Sequence, residues 1–194
     1  MKILKGIIVG LVALVLGLAV IGFFLPRDYS VERTIVVQAP AEHIFPYLHE
    51  LPNWKLWMAW YEKDPDMKIT YSGPSAGVGA ISAWESKTEG SGEMEVKRVI
   101  ADQLIEYELR FPSFEPSTGQ LELTPMDGGT QVRWSDQGRL GINPFFRYFG
   151  LMLDGMIGKD FETGLAKLKN VAESNLEKAS NVGNPDPDGG GEDQ

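Results

Sequence analysis

Residues 6–25 form a run of 20 amino acids without a charge, GIIVGLVALVLGLAVIGFFL. As a helix that rises about 1.5 Å per residue, this run measures roughly 30 Å, which matches the hydrocarbon thickness of a bilayer. Pro26 and Arg27 follow it directly. Because buried core helices rarely run this long without a polar residue, the sequence predicts a transmembrane anchor over residues 1–27, with residues 6–25 in the membrane.

A cleaved signal peptide is the alternative for this segment. Its apolar region would be shorter and an A-x-A-like site would follow, whereas this run ends in GFFLPRDYS. Lys2 and Lys5 precede the run, so the positive-inside rule predicts a single-pass protein with a cytoplasmic N-terminus and an extracytoplasmic domain. Four small residues on one helix face leave a homodimer through this helix open: Gly6, Gly10, Ala13 and Gly17.

The rest of the chain is strongly acidic. Residues 28–194 carry 15 basic and 27 acidic side chains, a net charge of −12. Such a surface repels phosphate backbones, which argues against nucleic acid as a partner.

The chain has no cysteine, and His43 and His49 would point about 120° apart on one helix. We therefore expect no metal site and no cofactor.

The predicted folded domain spans residues 28–179. Residues 180–194 are rich in Gly, Pro and acids, cannot bury enough apolar area to offset chain entropy, and are predicted to be a disordered acidic tail.

Alternation of apolar and polar residues, with turn signals between the runs, predicts one strand before the short helices and six after them. These runs are 31–39, 67–73, 78–86, 93–100, 103–111, 118–125 and 130–136.

Two short helices are predicted between the first and second strands. Residues 41–51 have helical spacing, but Pro46 in their interior makes this element short or kinked. Asn53 would cap the second helix. One face of that helix would be a wall of rings within an arc of about 120°, formed by Trp54, Trp57 and Trp60.

A long amphipathic helix closes the chain. Asn143 and Pro144 are typical of a helix start, and apolar residues then recur at steps of three and four residues over 146–168. Glycines interrupt this stripe and cost about 1 kcal/mol each against alanine. They indicate either a break into two helices near Gly158 or close packing against another element.

This order of elements resembles the SRPBCC superfamily of START-like, polyketide cyclase/dehydrase and lipid-transport proteins. The resemblance covers about 150 residues and rests on VQAPAEHIFPYL, NWKLWMAWYEKDPDMKITYSG, GVGAISAWES with GSGEMEV, and GKDFETGLAKLK. It implies an α+β helix-grip fold, in which a curved antiparallel β-sheet wraps round the long C-terminal helix. To this fold the sequence adds the N-terminal transmembrane helix.

The resemblance also implies a hydrophobic cavity between the sheet and the last helix, with its mouth near the two short helices. The three tryptophans would roof this cavity or line its entrance; core packing of a short helix against the sheet is the alternative, because both roles need the same residue types. The expected ligand-binding residues are Trp54, Trp57, Trp60, Tyr71, Trp84, Tyr107, Phe111, Trp134, Ile157 and Phe161.

Asp136 is the single catalytic candidate. Val132, Trp134 and Asp136 share one face of the last strand, so Asp136 points inward if Trp134 does. A carboxylate in an apolar cavity has a raised pKa and can act as an acid or a base. The alternative is that solvent or a turn satisfies Asp136 at the end of its strand. Arg110 and Arg133 fall on the opposite faces of their strands and are expected outside.

Three function classes remain. The prediction is a membrane-anchored binding module for a hydrophobic or amphipathic small molecule, such as a lipid. The alternatives are a ligand-free interaction or assembly domain of the envelope and, third, a cyclase/dehydrase-type enzyme. An enzyme needs polar groups that converge in the cavity, and the sequence offers Asp136, Ser82 and tyrosines without a clear catalytic dyad. We therefore do not predict an enzyme.

Overall fold

Seven strands and a long C-terminal helix follow the apolar N-terminal helix in the computed structural model, which describes residues 2–112 and 114–182. One 3₁₀ helix, Leu51–Leu56, lies between the short α-helix that ends at His49 and the one that begins at Trp60. The α-helices are α1 (Lys2–Phe24), α2 (Ala41–Ile44), α3 (Pro46–His49), α4 (Trp60–Lys63) and α5 (Pro144–Val182). The strands are β1 (Asp28–Val37), β2 (Lys68–Ser72), β3 (Ile81–Glu85), β4 (Ser91–Ile100), β5 (Leu104–Arg110), β6 (Ser117–Met126) and β7 (Gly129–Arg139).

The strands form one antiparallel sheet in the order β1-β7-β6-β5-β4-β3-β2. Strands β2 to β7 are a meander in which each strand pairs with the next, and β1 joins the far edge by pairing with β7, from Asp28 opposite Arg139 to Val37 opposite Thr130. Helix α5 packs against the inner face of this sheet through a buried stripe that includes Phe161, Leu165 and Leu168. The helix-grip fold predicted from the sequence is confirmed.

The two faces of the sheet differ as the alternation predicts. On β7, Val132, Trp134 and Asp136 all point inward and are buried. Arg110 and Arg133 lie on the outer face, where each joins carboxylates of neighbouring strands; Arg133, for example, lies 2.9 Å from Glu32. The outer face is therefore a solvated layer of ion pairs, and the inner face forms the core.

Helix α5 is unbroken over its 39 residues, about 58 Å at 1.5 Å per residue. Asn143 begins it as predicted, since its side-chain oxygen accepts from the backbone N–H of Phe145 at 3.0 Å. No break occurs at the glycines in α5, and three of the four, Gly150, Gly158 and Gly164, allow close packing, whereas Gly155 has open space around it. A Cβ at Gly158 would overlap the guanidinium of Arg33, and one at Gly164 would lie 3.0 Å from the ring of Trp134.

The short helices differ from the prediction in two respects. Pro46 does split the first one, because it is the first residue of α3. Asn53, however, is not a helix cap: it lies inside the 3₁₀ helix, and its side chain donates to the carbonyl of Pro46 at 3.0 Å. The tryptophans also do not share one helix. Trp54 lies in the 3₁₀ helix, Trp57 follows it and Trp60 begins α4, because the chain turns between the 3₁₀ helix and α4.

Helix α1 contacts the beginning of α5. Gly22 lies against Pro144, so closely that an added Cβ would be 2.6 Å from the Pro144 carbonyl oxygen. The Tyr148 hydroxyl donates to the carbonyl of Leu18 at 2.7 Å, and Arg147 donates to the carbonyl of Phe23 at 2.5 Å. Apart from these contacts α1 is exposed, since only 6% of its most apolar stretch of 18 residues is buried. The helix is long and apolar enough to cross a membrane.

The C-terminal boundary of the domain is set by α5. This helix ends at Val182, so it includes the first residues of the segment that the sequence predicts to be a disordered tail. Residues 183–194, the rest of that segment, lie outside the described residues.

Candidate functional site

A cavity of about 170 Å³ lies between the inner face of the sheet and α5. Aromatic and apolar side chains make up most of its wall, as is usual for sites that bind small hydrophobic molecules. Its lining residues are Tyr29, Trp54, Met58, Trp60, Tyr61, Met67, Ser82, Trp84, Glu89, Met94, Tyr107, Leu109, Phe111, Ser117, Asp136, Ile157 and Phe161.

The structure brings seven of the ten expected ligand-binding residues to this cavity. They are Trp54, Trp60, Trp84, Tyr107, Phe111, Ile157 and Phe161. Asp136, the catalytic candidate, lines it as well. Trp57, Tyr71 and Trp134 lie elsewhere: the rings of Trp57 and Trp134 pack in the core at a centroid distance of 5.2 Å, and Tyr71 lies half-buried on β2 near the edge of the sheet.

The three clustered tryptophans are held in different ways. Trp54 and Trp57 are completely buried, and their indole nitrogens donate to the carbonyls of Leu48 at 2.7 Å and Tyr47 at 2.9 Å. Trp60 is half-buried, and its indole donates to the carboxylate of Asp160 at 3.1 Å. Trp57 is therefore a core residue, and Trp54 is a fully buried residue that also lines the cavity. Trp60 is a wall residue at the rim, and its indole contacts α5 through Asp160.

Asp136 forms the polar end of the cavity. Its Oδ1 accepts from the hydroxyl of Tyr29 on β1 at 2.9 Å, and its Oδ2 accepts from the hydroxyl of Ser117 on β6 at 3.2 Å. Gly138 makes room for this arrangement, because a Cβ there would lie 2.8 Å from the Tyr29 hydroxyl. The carboxyl group is thus held by residues of the strands on both sides of β7. Both of its hydrogen-bond donors are hydroxyl groups.

Burial changes the acidity of this group. Loss of solvation raises the pKa of Asp136 to about 6, although the hydrogen bonds from Tyr29 and Ser117 oppose the shift by favouring the charged form. Burial and the nearby charge of Asp136 also raise the pKa of Tyr29, and they raise that of Tyr107, whose hydroxyl accepts from the Trp134 indole at 2.7 Å. Both tyrosines are therefore neutral hydroxyls at physiological pH, while Asp136 titrates close to it.

A wider groove of about 920 Å³ continues outward from the cavity. The cavity and the groove share wall residues at their junction, namely Tyr29, Trp60, Glu89, Phe111, Ser117 and Ile157. Further out, the groove is lined by Leu140 and by Phe149, Leu153 and Met156 from the first turns of α5. These turns lie next to Arg147 and Tyr148, the residues of α5 that donate to carbonyl groups of α1.

The two volumes decide what the site can hold. A cavity of about 150 Å³ accommodates one benzene molecule, so the inner cavity of about 170 Å³ admits one ring or a short chain. Pockets for drug-sized ligands measure about 300–1,000 Å³, a range that only the outer groove reaches. A larger ligand would therefore place one end at Asp136 and the remainder in the groove.

Sequence reasoning missed several lining residues, above all Tyr29 and Ser117, which hold Asp136. Strand β1 starts at Asp28, three residues before the predicted start, and Tyr29 precedes Val31 by two residues on the inner face. Ser117 similarly precedes Leu121 by four residues on β6. Extending the alternation of each strand toward its N-terminus would have placed both on the inner face of the sheet, although not next to Asp136.

Metal binding has no support in the described part of the chain. Within residues 2–112 and 114–182, no group of three or more His, Asp or Glu side chains could hold a metal ion. His43 and His49 are half-buried on α2 and α3, and the His49 ring stacks on Phe45 with centroids 4.8 Å apart. The two histidines therefore contribute to local packing.

Comparison with known proteins agrees with this geometry. The family model described as polyketide cyclase/dehydrase and lipid transport matches residues 28–173, which is the whole sheet and most of α5. No curated protein is significantly similar in sequence.

Several solved structures share the fold. The di-domain ARO/CYC protein StfQ from the steffimycin biosynthetic pathway aligns with a TM-score of 0.62 at 14% identity, over 78% of this chain and 52% of that one. A Staphylococcus aureus protein of unknown function, SA2116, aligns with a TM-score of 0.59 at 15% identity, over 77% and 96%. Ara h 8.0201 aligns with a TM-score of 0.54 at 14% identity, over 76% and 99%. At these identities the likeness concerns the fold alone.

Proposed function

We infer the function from one premise: this chain belongs to the polyketide cyclase/dehydrase and lipid transport family. We propose that it is a membrane-anchored module that binds a hydrophobic or amphipathic small molecule between the sheet and α5. The observation that carries this proposal is the aromatic cavity with one buried carboxylate, Asp136, in its wall, open to a groove large enough for the rest of a ligand.

The composition of the wall favours binding over catalysis. The described lining residues of the cavity include no histidine, lysine, arginine or cysteine. Serine or tyrosine nucleophiles need a neighbouring base, and Asp136, to which Ser117 and Tyr29 both donate, is the one base that these two hydroxyls contact. A cyclase- or dehydrase-type reaction is the second candidate, favoured by the raised pKa of Asp136, which suits proton transfer near neutral pH.

The membrane part of the proposal is supported by α1 and by the surface next to it. The first turns of α5 and the preceding loop expose large apolar side chains: Ile142, Phe145, Phe146, Phe149, Leu151, Met152 and Met156. Soluble surfaces rarely expose such a contiguous apolar patch, whereas a helix at a lipid interface does. Because Phe149 and Met156 also line the groove, its outer end would open beside the bilayer, with the domain on the extracytoplasmic side.

A co-purification experiment tests the binding function. Native mass spectrometry of the full-length protein, released from detergent micelles, should show an added mass of lipid or small-molecule size. The Ile157→Trp variant fills the junction between cavity and groove and should lose this added mass. Val78→Trp is the matched control, because Val78 is 60% exposed in a turn before β3 and adds the same ring away from the site. An added mass that Ile157→Trp retains would contradict the proposed site.

A further inference from the structure

Among the residues that the structure describes, the Asp136 carboxylate has no cationic partner. None of the ion pairs among the described residues includes it; its only hydrogen-bond donors are the hydroxyls of Tyr29 and Ser117. A buried carboxylate is normally paired with a cation, because two neutral hydrogen bonds do not replace the lost hydration of a charge. Each of its oxygens has a further lone pair free to accept. The site therefore lacks a donor, preferably one with a positive charge.

Aromatic rings surround the space in front of this carboxylate. Trp54, Trp60, Trp84, Tyr107 and Phe111 all line the same cavity. The face of an aromatic ring attracts a cation by about 0.5–2 kcal/mol, with the larger values where water is excluded. Rings and carboxylate thus favour the same sign of charge in the ligand.

The other charge in the wall of the inner cavity has the same sign as Asp136, whereas the outer groove carries both signs, with Lys63, Arg139 and Lys159 beside its carboxylates. Glu89 is the only other charged residue in the described wall of the cavity, and it is also acidic. The chain beyond the anchor carries 15 basic and 27 acidic side chains, so its field attracts cations and repels anions. A ligand carboxylate inside the cavity, such as that of a fatty acid, would meet Asp136 with like charge, and the described wall of the cavity offers no cation to bind it.

We propose that the ligand of this site is a hydrophobic molecule with a protonated primary or secondary amine, which Asp136 binds inside the cavity. The rings of the cavity enclose the amine and the first ring or short chain attached to it. The rest of the apolar body lies in the outer groove against Phe149 and Met156. This assignment rests on the proposed binding function and specifies the class of molecule that the site selects.

Three probes with one skeleton test the charge preference. 4-Phenylbutylamine, 4-phenylbutanol and 4-phenylbutanoate differ only in the polar end, and their single ring suits the size of the inner cavity. Isothermal titration calorimetry at pH 7.5 would use the full-length protein in lipid nanodiscs, with the heat of each probe on empty nanodiscs subtracted. We expect the amine to bind at least about tenfold more tightly than the alcohol, since a hydrogen bond between two charged groups is stronger than one from a neutral hydroxyl. The carboxylate should bind most weakly.

Two variants assign this preference to one side chain. Asp136→Asn keeps the shape and removes the charge, so the advantage of the amine over the alcohol should fall to about threefold or less. Glu177→Gln removes the same charge from an exposed position near the end of α5 and should leave the advantage intact. Equal effects of the two variants would show a general attraction to an acidic protein and would overturn the assignment to Asp136.

The outcomes separate the two proposals. Equal binding of amine and alcohol by the unaltered protein overturns the amine assignment and supports the binding function, and this comparison decides even if Asp136→Asn does not fold. Tightest binding of the carboxylate overturns the amine assignment in the same way. If none of the three probes binds while the protein is folded and no co-purified mass blocks the site, the proposed function is wrong and the amine assignment with it.

Discussion

Trp134 on β7 and Phe161 on α5 stack face to face, with ring centroids 3.8 Å apart and ring planes inclined by only 5°. Both rings are almost completely buried. They join the last strand to the middle of the C-terminal helix, at the back of the wall that encloses the ligand cavity. This contact holds the sheet and the helix together, and it sets the depth of the cavity between them.

Removal of the Phe161 ring should therefore be costly. We expect Phe161→Ala to lower the free energy of unfolding by about 3–5 kcal/mol, the usual cost of truncating a buried aromatic residue. Urea-dependent pulse proteolysis of the full-length protein in detergent measures this change. Phe145→Ala is the control on the same helix, since Phe145 is 45% exposed, and it should have a small effect. A loss below about 1 kcal/mol for Phe161→Ala would show that α5 does not dock through this face.

Trp57 and Trp60 should respond differently to truncation. Trp57 is completely buried between Trp54 and Trp134, so Trp57→Ala should cost about 3–5 kcal/mol of stability. Trp60 is half-buried and lines both the cavity and the groove. Trp60→Ala should therefore cost less stability but weaken the retention of a bound ligand. The sequence predicted that all three tryptophans roof the cavity or line its entrance; the complete burial of Trp57 in the core excludes it from this prediction, which we keep for Trp60.

Both variants can be compared by thermal unfolding and by the ligand mass retained in native mass spectrometry. If Trp57→Ala leaves stability unchanged and releases the ligand, then the Trp57 ring gates the cavity after all. If Trp60→Ala has no effect on retention, the entrance lies elsewhere along the groove.

The pKa of Asp136 predicts how stability depends on pH. Burial raises this pKa to about 6, above its value of about 3.9 in an unfolded chain. The folded protein then binds a proton more tightly than the unfolded chain does, so this stabilisation is complete below about pH 4 and is lost as the pH rises through 6. The loss from this one group between pH 4 and 8 is about 3 kcal/mol.

Asp136→Asn isolates this contribution. The variant should flatten the decline of stability between pH 4 and 8, and it should be more stable than the unaltered protein at pH 8, because it has no buried charge. Other carboxyl groups act in the opposite direction and at lower pH, since Lys97 lowers the pKa of Glu95 and Arg33 lowers that of Asp154. Thermal unfolding at several pH values measures the difference; parallel curves for the two proteins would contradict the raised pKa.

The apolar N-terminal segment should hold the protein in the membrane. After a carbonate wash, full-length protein should stay in the membrane pellet, whereas a chain that begins at Asp28 should appear in the supernatant. Soluble full-length protein with a trimmed N-terminus would instead show a cleaved signal peptide. A protein that retains the anchor also retains the contact between Gly22 and Pro144.

The side of the membrane that carries the domain is tested separately. Lys2 and Lys5 precede the apolar run, so a C-terminal alkaline phosphatase fusion should be active and a fluorescent cytosolic reporter at the same position should be dark. The reverse pattern would place the domain in the cytoplasm.

Much of the fold follows from local patterns in the sequence. The alternation of Leu121 and Leu123 with polar residues was enough to predict β6, and Asn143 with Pro144 was enough to predict the start of α5, because neighbours along the chain decide both features. The tryptophan segment was predicted less well. Helical spacing alone does not distinguish one α-helix from a 3₁₀ helix followed by a turn. Here the hydrogen bonds from the indoles of Trp54 and Trp57 to the carbonyls of Leu48 and Tyr47 decide the geometry.

The site was predicted in composition more than in detail. That Asp136 points inward follows from its parity with Trp134 on β7. Its two partners could not be identified in the same way, because Tyr29 and Ser117 reach it only through the pairing of β1 and β6 with β7, a register fixed by contacts between distant parts of the chain. The size of the inner cavity depends in turn on packing such as that of Gly119, where a Cβ would overlap the Tyr107 ring.

The pairing of β1 with β7 also constrains the order in which the protein can mature. Asp28, directly after the apolar helix, finds its partner Arg139 only after more than a hundred further residues have been synthesised. Such long-range pairing is slow, because the entropy of closing the loop is lost before the contacts form. Until β7 arrives, β1 remains an unpaired strand directly after α1, open to association with other chains. A chain that stops before Gly129 would lack the partner of its first strand and the helix that closes the core, so ribosomal stalling or early proteolysis should leave insoluble, membrane-tethered fragments and no partly active domain.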